Sequence, residues 1–365
     1  MIAHSQPTIE PDDLTGVTRV LLSRHLAQGQ EVRAFEEEVA DRLALRGGIA
    51  TSSGTAAMHL ALLALGVGPG GEVLIPSYTC VAVLHAVHLV GATPRIVDCE
   101  PDGVNLWVEA AARQVSPTAQ AIILPHMFGT VASVPAFRRL RIPVIENCAH
   151  ALGASYGSIP AGSLGDVTVL SFYATKMITT GEGGMLLSRS PSLLAEARDL
   201  RDYDNRAAYR LRFNYKMTDD HAALGRSQLR KLSRFVDRRR ALARIYHAEL
   251  GEAVPAYTEL RDGDAFYRYV VSAPDPEEFI RAMARRGVEC KRPVYRPIHD
   301  LVPAEACPNA SRVFQHAVSL PIYPGLSDDD ARAIGTLAGQ VIAEQRSRLA
   351  GPRPAPGAPP LGQPV

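Results

Sequence analysis

A lysine stands at a position suited to covalent chemistry. Lys176 follows the short apolar run 167–173 and precedes the glycine-containing stretch 179–184. A lysine that leaves a buried strand loses part of its hydration, and partial burial favours the neutral amine, which is a nucleophile toward aldehydes. A lysine that simply extends to solvent has the same local sequence. A chemical role for Lys176 therefore depends on its neighbours.

Two further features supply groups that an anionic, aromatic ligand would need. Ser53-Gly54-Thr55 begins a predicted helix, so backbone N–H groups, a hydroxyl and the positive end of the helix dipole meet there. An ordinary helix cap explains the same residues. Tyr78 follows a predicted strand that ends at Pro76, and its ring can lie on an aromatic cofactor or pack in the core. Each signal is weak by itself.

The elements around these residues predict an α/β fold. Apolar residues recur at helical spacing from Glu31 to Leu43, and an alanine- and leucine-rich helix is predicted from Thr55 to Leu65. Short, partly β-branched runs bounded by turn formers predict strands at 73–76, 95–97, 121–124, 143–145, 167–173 and 185–188. Strands that alternate with helices predict a mostly parallel sheet covered on both faces, with ligands at the carboxyl ends of the strands.

Beyond about Ser190 the pattern changes, which predicts a second, smaller domain. Long helical stretches are followed by a strand candidate at 266–271 and a helix at 276–286. We assign residues 1–245 to an N-terminal segment and large α/β domain, and 246–350 to a small α+β domain. The proline- and glycine-rich stretch 351–365 is expected to be disordered.

Composition excludes several classes of protein. The 365 residues are 46% hydrophobic and carry a net charge of +1, so no excess positive charge is available to bind nucleic acid. We interpret the basic run Arg238-Arg239-Arg240 as a solvated helix face. No run of about 18 apolar residues and no leader-like N-terminus is present, so we expect a cytoplasmic protein without membrane contact. The five scattered cysteines predict reduced thiols and no metal site.

Read together, the motifs resemble the DegT/DnrJ/StrS family of sugar aminotransferases that depend on pyridoxal 5'-phosphate (PLP). The resemblance runs from near residue 7 to about 345. It implies the PLP-dependent transferase fold of type I, with a large domain and a small C-terminal domain. The stretches that carry it are Gly29 with 31–35, 51–57, 75–79, 144–150, Gly165-Asp166 with 171–184, 213–219 and 319–326.

The resemblance assigns roles around the ring of the cofactor. Lys176 matches the lysine that holds PLP as a Schiff base and later moves a proton between the substrate carbon and the cofactor. Tyr78 matches the aromatic residue that stacks on the pyridine ring. His150 matches a position near the 3' oxygen.

The resemblance also assigns residues to the cofactor phosphate. Gly54, Thr55 and Ser171 match the phosphate-binding positions of the family. Asn214 matches a residue that reaches the phosphate of the neighbouring subunit. A homodimer with shared active sites is therefore expected.

One position departs from the family. Asn147 stands where the family has an aspartate that pairs with the pyridine nitrogen. A carboxylate that close raises the pKa of the nitrogen by about 1 to 3 and strengthens the ring as an electron sink, whereas an amide brings no charge. The sugar 3-dehydratases of the family have histidine in place of the lysine, so Lys176 argues against that reaction.

Three functional hypotheses follow. The first is transfer of an amino group from an amino acid, with glutamate as the expected donor, to a keto-sugar, a nucleotide-linked sugar or a cyclitol. The second is another PLP reaction, such as racemisation, elimination or replacement, which a less electron-poor ring would suit. The third is a binding or regulatory protein that keeps the fold without catalysis. The basic stretch 291–299 is a candidate contact for a substrate phosphate or carboxylate, or an ordinary surface loop.

Overall fold

The predicted fold class, α/β with a mostly parallel central sheet, is confirmed. The computed structural model describes residues 1–204, 207–252 and 254–349. The predicted disordered stretch 351–365 lies outside the described residues. Of the helices in the described ranges, none is both long and apolar enough to cross a membrane.

The central sheet has seven strands, which are β1 (Gly47–Thr51), β2 (Glu72–Pro76), β3 (Thr93–Val97), β4 (Ala119–Pro125), β5 (Val144–Asn147), β8 (Val167–Ser171) and β9 (Gly184–Ser188). Their order across the sheet is β1-β9-β8-β5-β4-β2-β3. Neighbouring strands are parallel from β3 through β8, while β9 is antiparallel to both β8 and β1. All six predicted strand runs of the large domain are present, and β1 is an addition.

Helices cover both faces of this sheet. Along β8, Val169 packs in the cluster that contains Leu60 and Leu200, and Leu170 packs in the cluster that contains Phe35. This alternation explains why the strands read as continuous apolar runs. The large-domain helices are α1 (Pro11–Ser23), α2 (Gln30–Arg42), α3 (Gly54–Ala64), α4 (Ala82–Leu89), α5 (Val108–Gln114), α6 (Val134–Arg138) and α7 (Pro191–Arg201).

The small domain packs helices on a two-stranded antiparallel sheet, and a second short hairpin lies in the large domain. The strands are β10 (Tyr269–Ser272) and β11 (Ala317–Leu320), with the hairpin β6 (Ser155–Tyr156) and β7 (Ile159–Pro160). The predicted strand at 266–271 begins three residues later than expected. The helices are α9 (Pro276–Arg285), α10 (Pro308–His316) and α11 (Asp328–Leu349), reached through α8 (Asp219–Leu250).

The long helix α8 belongs to both domains. Phe235 packs in a large-domain cluster, whereas Leu242 packs with β10 and β11. The predicted boundary at residue 245 falls within this helix. The first residues also lie against the small domain, since Ile2 forms a bridge with Val288 and His4 Nε2 lies 2.9 Å from Ser319 Oγ.

The interpretation of the basic run in α8 as a solvated face is wrong for Arg239. This side chain is 2% exposed, and its guanidinium donates to the carbonyl oxygens of Ile322 at 2.8 Å, Tyr267 at 3.2 Å and Phe266 at 3.3 Å. Burial lowers its pKa to about 10. Arg240 Nε donates to the carbonyl of Asp264. Because α8 passes between the domains here, side chains that would otherwise face water satisfy buried carbonyls instead.

Candidate active site

A cavity of about 280 Å³ lies at the carboxyl edge of the sheet. Its walls come from the loops after β1, β2, β4, β5 and β8, as expected for a mostly parallel sheet. Six of the eight predicted site residues line it, namely Gly54, Thr55, Asn147, His150, Ser171 and Lys176. Tyr78 and Asn214 do not.

Lys176 is set apart from the other lysines by its surroundings. The chain has only four lysines. Lys216 pairs with Asp202 at 2.9 Å, Lys231 with Asp13 at 2.7 Å and Lys291 with Glu289 at 3.0 Å. Among the described residues, no carboxylate lies within ion-pair distance of Lys176. Its amine instead lies 4.8 Å from the centre of the Tyr267 ring. The amine in the cavity is therefore not neutralised by a neighbouring acid.

The start of α3 lies very close to the end of β8. Ser53 Oγ accepts the backbone N–H of Ala56, so this hydroxyl serves as the helix cap. The amides of Gly54 and Thr55 lie in the first turn, where a helix offers no internal acceptor. A Cβ at Gly54 would lie 2.8 Å from Ser171 Cβ. Only glycine lets the helix terminus lie this close to the end of β8, which brings the predicted phosphate-binding residues together.

Asn147 is the last residue of β5 and is 8% exposed. Its Oδ1 accepts the backbone N–H of Ala149 at 3.1 Å. The oxygen is therefore engaged, and the NH₂ group is what the side chain offers to the cavity. A hydrogen-bond donor without charge stands at this position.

The neighbouring Glu146 points away from the cavity and fixes the strand end. Its carboxylate accepts backbone N–H groups from Gly162 at 2.9 Å, Leu164 at 2.7 Å and Gly165 at 2.5 Å, and the Nε2–H of His126 at 2.9 Å. Both side chains of the Glu146–His126 pair are fully buried. With Cys148 they form the one described group that could hold a metal ion. The carboxylate is already occupied by these four donors, so its role is structural.

His150 is a half-buried residue of the cavity wall. Its ring is stacked on that of Tyr267, with centroids 4.2 Å apart and an angle of 19° between the planes. Burial, together with the charges of Lys176 and Arg268, holds the pKa of His150 well below its usual value. The imidazole is therefore neutral at physiological pH and keeps one N–H to donate. Tyr267 was not predicted from the sequence, because it comes from the small domain and carries no motif signal.

The stacking role predicted for Tyr78 does not fit its position. The side chain is fully buried, its ring meets Phe128 edge-on at 6.3 Å, and its hydroxyl has no partner among the described residues. Burial raises its pKa. Thr79 and the exposed Cys80 line the cavity instead. The turn after β2 directs Tyr78 inward, an orientation that the sequence does not specify.

Asn214 is exposed and lies outside the cavity lining. The backbone N–H groups of its neighbours Phe213 and Tyr215 donate to the carbonyls of Leu200 and Arg201. Its predicted contact is with a second subunit, so this residue stays a prediction.

The fold and the cavity together define the class of protein. A mostly parallel sheet with a lysine at its carboxyl edge, facing a helix N-terminus, is the PLP-dependent transferase fold of type I. The chain belongs to the DegT/DnrJ/EryC1/StrS aminotransferase family, which matches residues 7–337. The family assignment made from the motifs is confirmed, and the protein is an aminotransferase.

Relatives and a solved structure agree with this assignment. The chain is 33% identical to a GDP-perosamine synthase from Caulobacter vibrioides over 86% of this chain and 91% of the relative. It is 29% identical to a UDP-N-acetyl-3-dehydro-alpha-D-glucosamine 3-aminotransferase from Acidithiobacillus ferrooxidans, over 92% and 95% of the two chains. The aminotransferase TlmJ from Streptoalloteichus hindustanus superposes with a TM-score of 0.88 at 30% identity, covering 94% of this chain and 99% of TlmJ.

Proposed function

We propose that this chain transfers an amino group from an amino acid to a nucleotide-linked keto-sugar, with PLP held by Lys176. The observation that carries the proposal is the amine of Lys176, which lacks a carboxylate partner in the described structure and shares a cavity with the start of α3. The cavity offers a group for each end of PLP, with the Lys176 amine for the aldehyde and the start of α3 for the phosphate. The amides of Gly54 and Thr55 can hold the phosphate, and the close approach at Gly54 leaves no room there for a side chain.

Each residue then has a definite task. When bound, PLP acts as an electron sink that makes the proton on the amino-bearing carbon of the substrate acidic. The Lys176 amine accepts and returns that proton. The Asn147 NH₂ group donates a hydrogen bond to the ring nitrogen, and the neutral His150 can donate one to the ring oxygen. Cys80 and Ala149 also line the cavity, and they can pack against the faces of the planar cofactor ring.

The substrates are inferred from relatives and from surface chemistry. The two relatives are named for reactions on GDP- and UDP-linked sugars, and this supports a nucleotide-linked acceptor over a free sugar or a cyclitol. Glutamate is the proposed donor. In the basic stretch 291–299, the Arg292 guanidinium donates to the carbonyl of Phe314 and is partly engaged, whereas Tyr295 is 93% exposed. We propose this stretch as a contact for a substrate phosphate.

We further propose a homodimer with shared sites. Asn214 is exposed on a segment that the large domain holds at its backbone. It is therefore available to the cavity of a second subunit.

Asn147 supports a second candidate, a PLP reaction without net amino transfer. A neutral partner for the ring nitrogen weakens the electron sink, and racemisation or elimination can proceed with such a ring. The two candidates differ in their products, because only transamination converts glutamate to 2-oxoglutarate.

The test is an absorption titration with PLP followed by glutamate, on the chain as it is and on Lys176→Ala. We expect a visible band that glutamate removes, with release of 2-oxoglutarate. Borohydride reduction should attach the cofactor covalently to Lys176. Peptide mapping should find the other three lysines unlabelled, and they serve as internal controls. Label on another lysine would refute the site. A band that ignores glutamate would refute amino transfer from this donor and favour the second candidate.

A further inference from the structure

We propose that Tyr267 is a positioning residue of the active site, through which the small domain fixes the side chains of Lys176 and His150. The inference rests on the proposed role of Lys176. Tyr267 lies in the connection that leads into β10, so it reaches Lys176 and His150, which line the cavity, from the second domain. Its ring contacts both side chains that the cofactor would meet, at 4.8 Å from the Lys176 amine and 4.2 Å from the centre of the His150 ring.

The backbone of this segment is held rigidly against the large domain. Ala265 N–H donates to the carbonyl of Gly129, and Arg268 N–H donates to that of Phe128. Gly129 has a φ of +99°, and a Cβ there would lie 2.8 Å from the nitrogen of Phe266. Glycine is therefore required for the two chains to approach.

The buried Arg239 holds the same segment from the other side. Its guanidinium donates to the carbonyls of Phe266, Tyr267 and Ile322. With anchors on both sides, the segment can shift only if the contact between the domains opens. The position of the Tyr267 ring is thus set by the domain arrangement.

The contacts of the ring explain what this rigidity achieves. Stacking at an angle of 19° holds the His150 ring in one plane. The face of a tyrosine ring attracts an ammonium group, so the free Lys176 amine has a preferred resting place beside it. Two cations, Lys176 and Arg268, lie over the Tyr267 ring. A third cation, Arg239, also acts on its hydroxyl electrostatically. Burial alone raises the pKa of Tyr267, but Lys176, Arg268 and Arg239 together with Thr175 bring it down to about 8.

The first test separates the ring from the hydroxyl. In Tyr267→Phe the ring remains, and we expect the rate constant of the glutamate half-reaction to stay within about 3-fold. In Tyr267→Leu the stacking and the cation contact are lost, and the rate constant should fall by about 10-fold or more. The glutamate concentration at half-saturation should change by less than about 3-fold, because positioning acts on the reaction and not on binding.

Tyr269→Leu is the matched control. Tyr269 is also buried, but its ring packs on Tyr246 in the small domain core. This variant reports the cost of losing a buried tyrosine ring near the site, and we expect a near-normal rate. Equal losses in the two leucine variants, or an unchanged rate in Tyr267→Leu, would overturn the proposal.

A second measurement, on the cofactor-free chain, does not depend on activity. Titrating the ultraviolet absorbance of phenolate should reveal one tyrosine that ionises near pH 8. That transition should vanish in Tyr267→Phe and move to higher pH in Lys176→Met, which removes the nearby ammonium. If Lys176→Met leaves it in place, the contact is refuted. Failure of Lys176 to bind PLP would refute the proposed function while this titration still reports the contact, so the two failures are distinguishable.

Discussion

Replacing Asn147 with aspartate should accelerate the glutamate half-reaction. The Asn147 side chain is fixed by the bond between its Oδ1 and Ala149 N–H. A carboxylate of the same shape keeps this bond with one oxygen and presents the other to the cavity, where the NH₂ group now lies. The ring nitrogen of PLP would then meet a negative charge and become protonated.

The magnitude follows from the change in proton affinity. A carboxylate at this distance raises the pKa of the ring nitrogen by about 1 to 3, which corresponds to about 1.4 to 4 kcal/mol. If about half of this energy is expressed in the transition state, the rate constant rises roughly 3- to 30-fold. Asn147→Leu has a similar size and no hydrogen-bonding group, so it should be slower than the chain as it is.

The assay is a single-turnover reaction in which the visible absorbance of bound PLP is followed after mixing with glutamate. PLP labelled with ¹⁵N in the ring gives a second reading by NMR, because the chemical shift of the nitrogen reports its protonation. We expect an unprotonated nitrogen in the chain as it is and a protonated one in Asn147→Asp. An aspartate variant with the same rate and the same nitrogen shift would show that Asn147 does not face the ring nitrogen.

Three other predictions concern residues in and around the site. Burial raises the pKa of Glu146, but the His126 hydrogen bond and charge and the backbone N–H groups outweigh it and leave the pKa lowered. The resulting stability is complete above the unfolded-state pKa near 4.5 and is lost as the pH falls below it. Glu146→Gln should therefore lower the free energy of unfolding by about 2 kcal/mol or more at pH 7, and the difference should shrink toward pH 3 in urea titrations; parallel pH curves would contradict this. Cys80 is the one exposed cysteine, so a thiol reagent should modify it first and PLP should protect it, as mass spectrometry of Cys80→Ser and the unchanged chain can show. If PLP does not slow the modification of Cys80, or if a buried thiol reacts as fast, Cys80 does not line the PLP site. Tyr78→Phe should leave PLP affinity unchanged, because the hydroxyl it removes is buried and unpartnered.

Much of the frame was determined by local sequence. Brief, β-branched apolar runs that alternate with helices favour a mostly parallel sheet covered on both faces, so the strands after β1 and the edge where ligands collect were predictable. Lys176 follows the predicted strand at 167–173, so its place at that edge follows from chain order. The Ser53-Gly54-Thr55 helix start was predicted as well, but the strand before it, β1, was not. The identity of Asn147, with its missing charge, is also a property of the sequence alone.

Other features depend on contacts between distant segments. Whether Tyr78 or Cys80 faces the cavity depends on the path of the turn after β2. A residue from the small domain holds that turn, since Ile298 N–H donates to the carbonyl of Ser77 at 2.8 Å. Arg239 has the sequence context of a solvated helix face, yet it is buried because α8 passes between the domains. Tyr267 reaches Lys176 only after both domains have folded. Local propensity and hydrophobic period act over a few residues, whereas these side chains were placed by packing across the whole chain, and only the tertiary structure could reveal them.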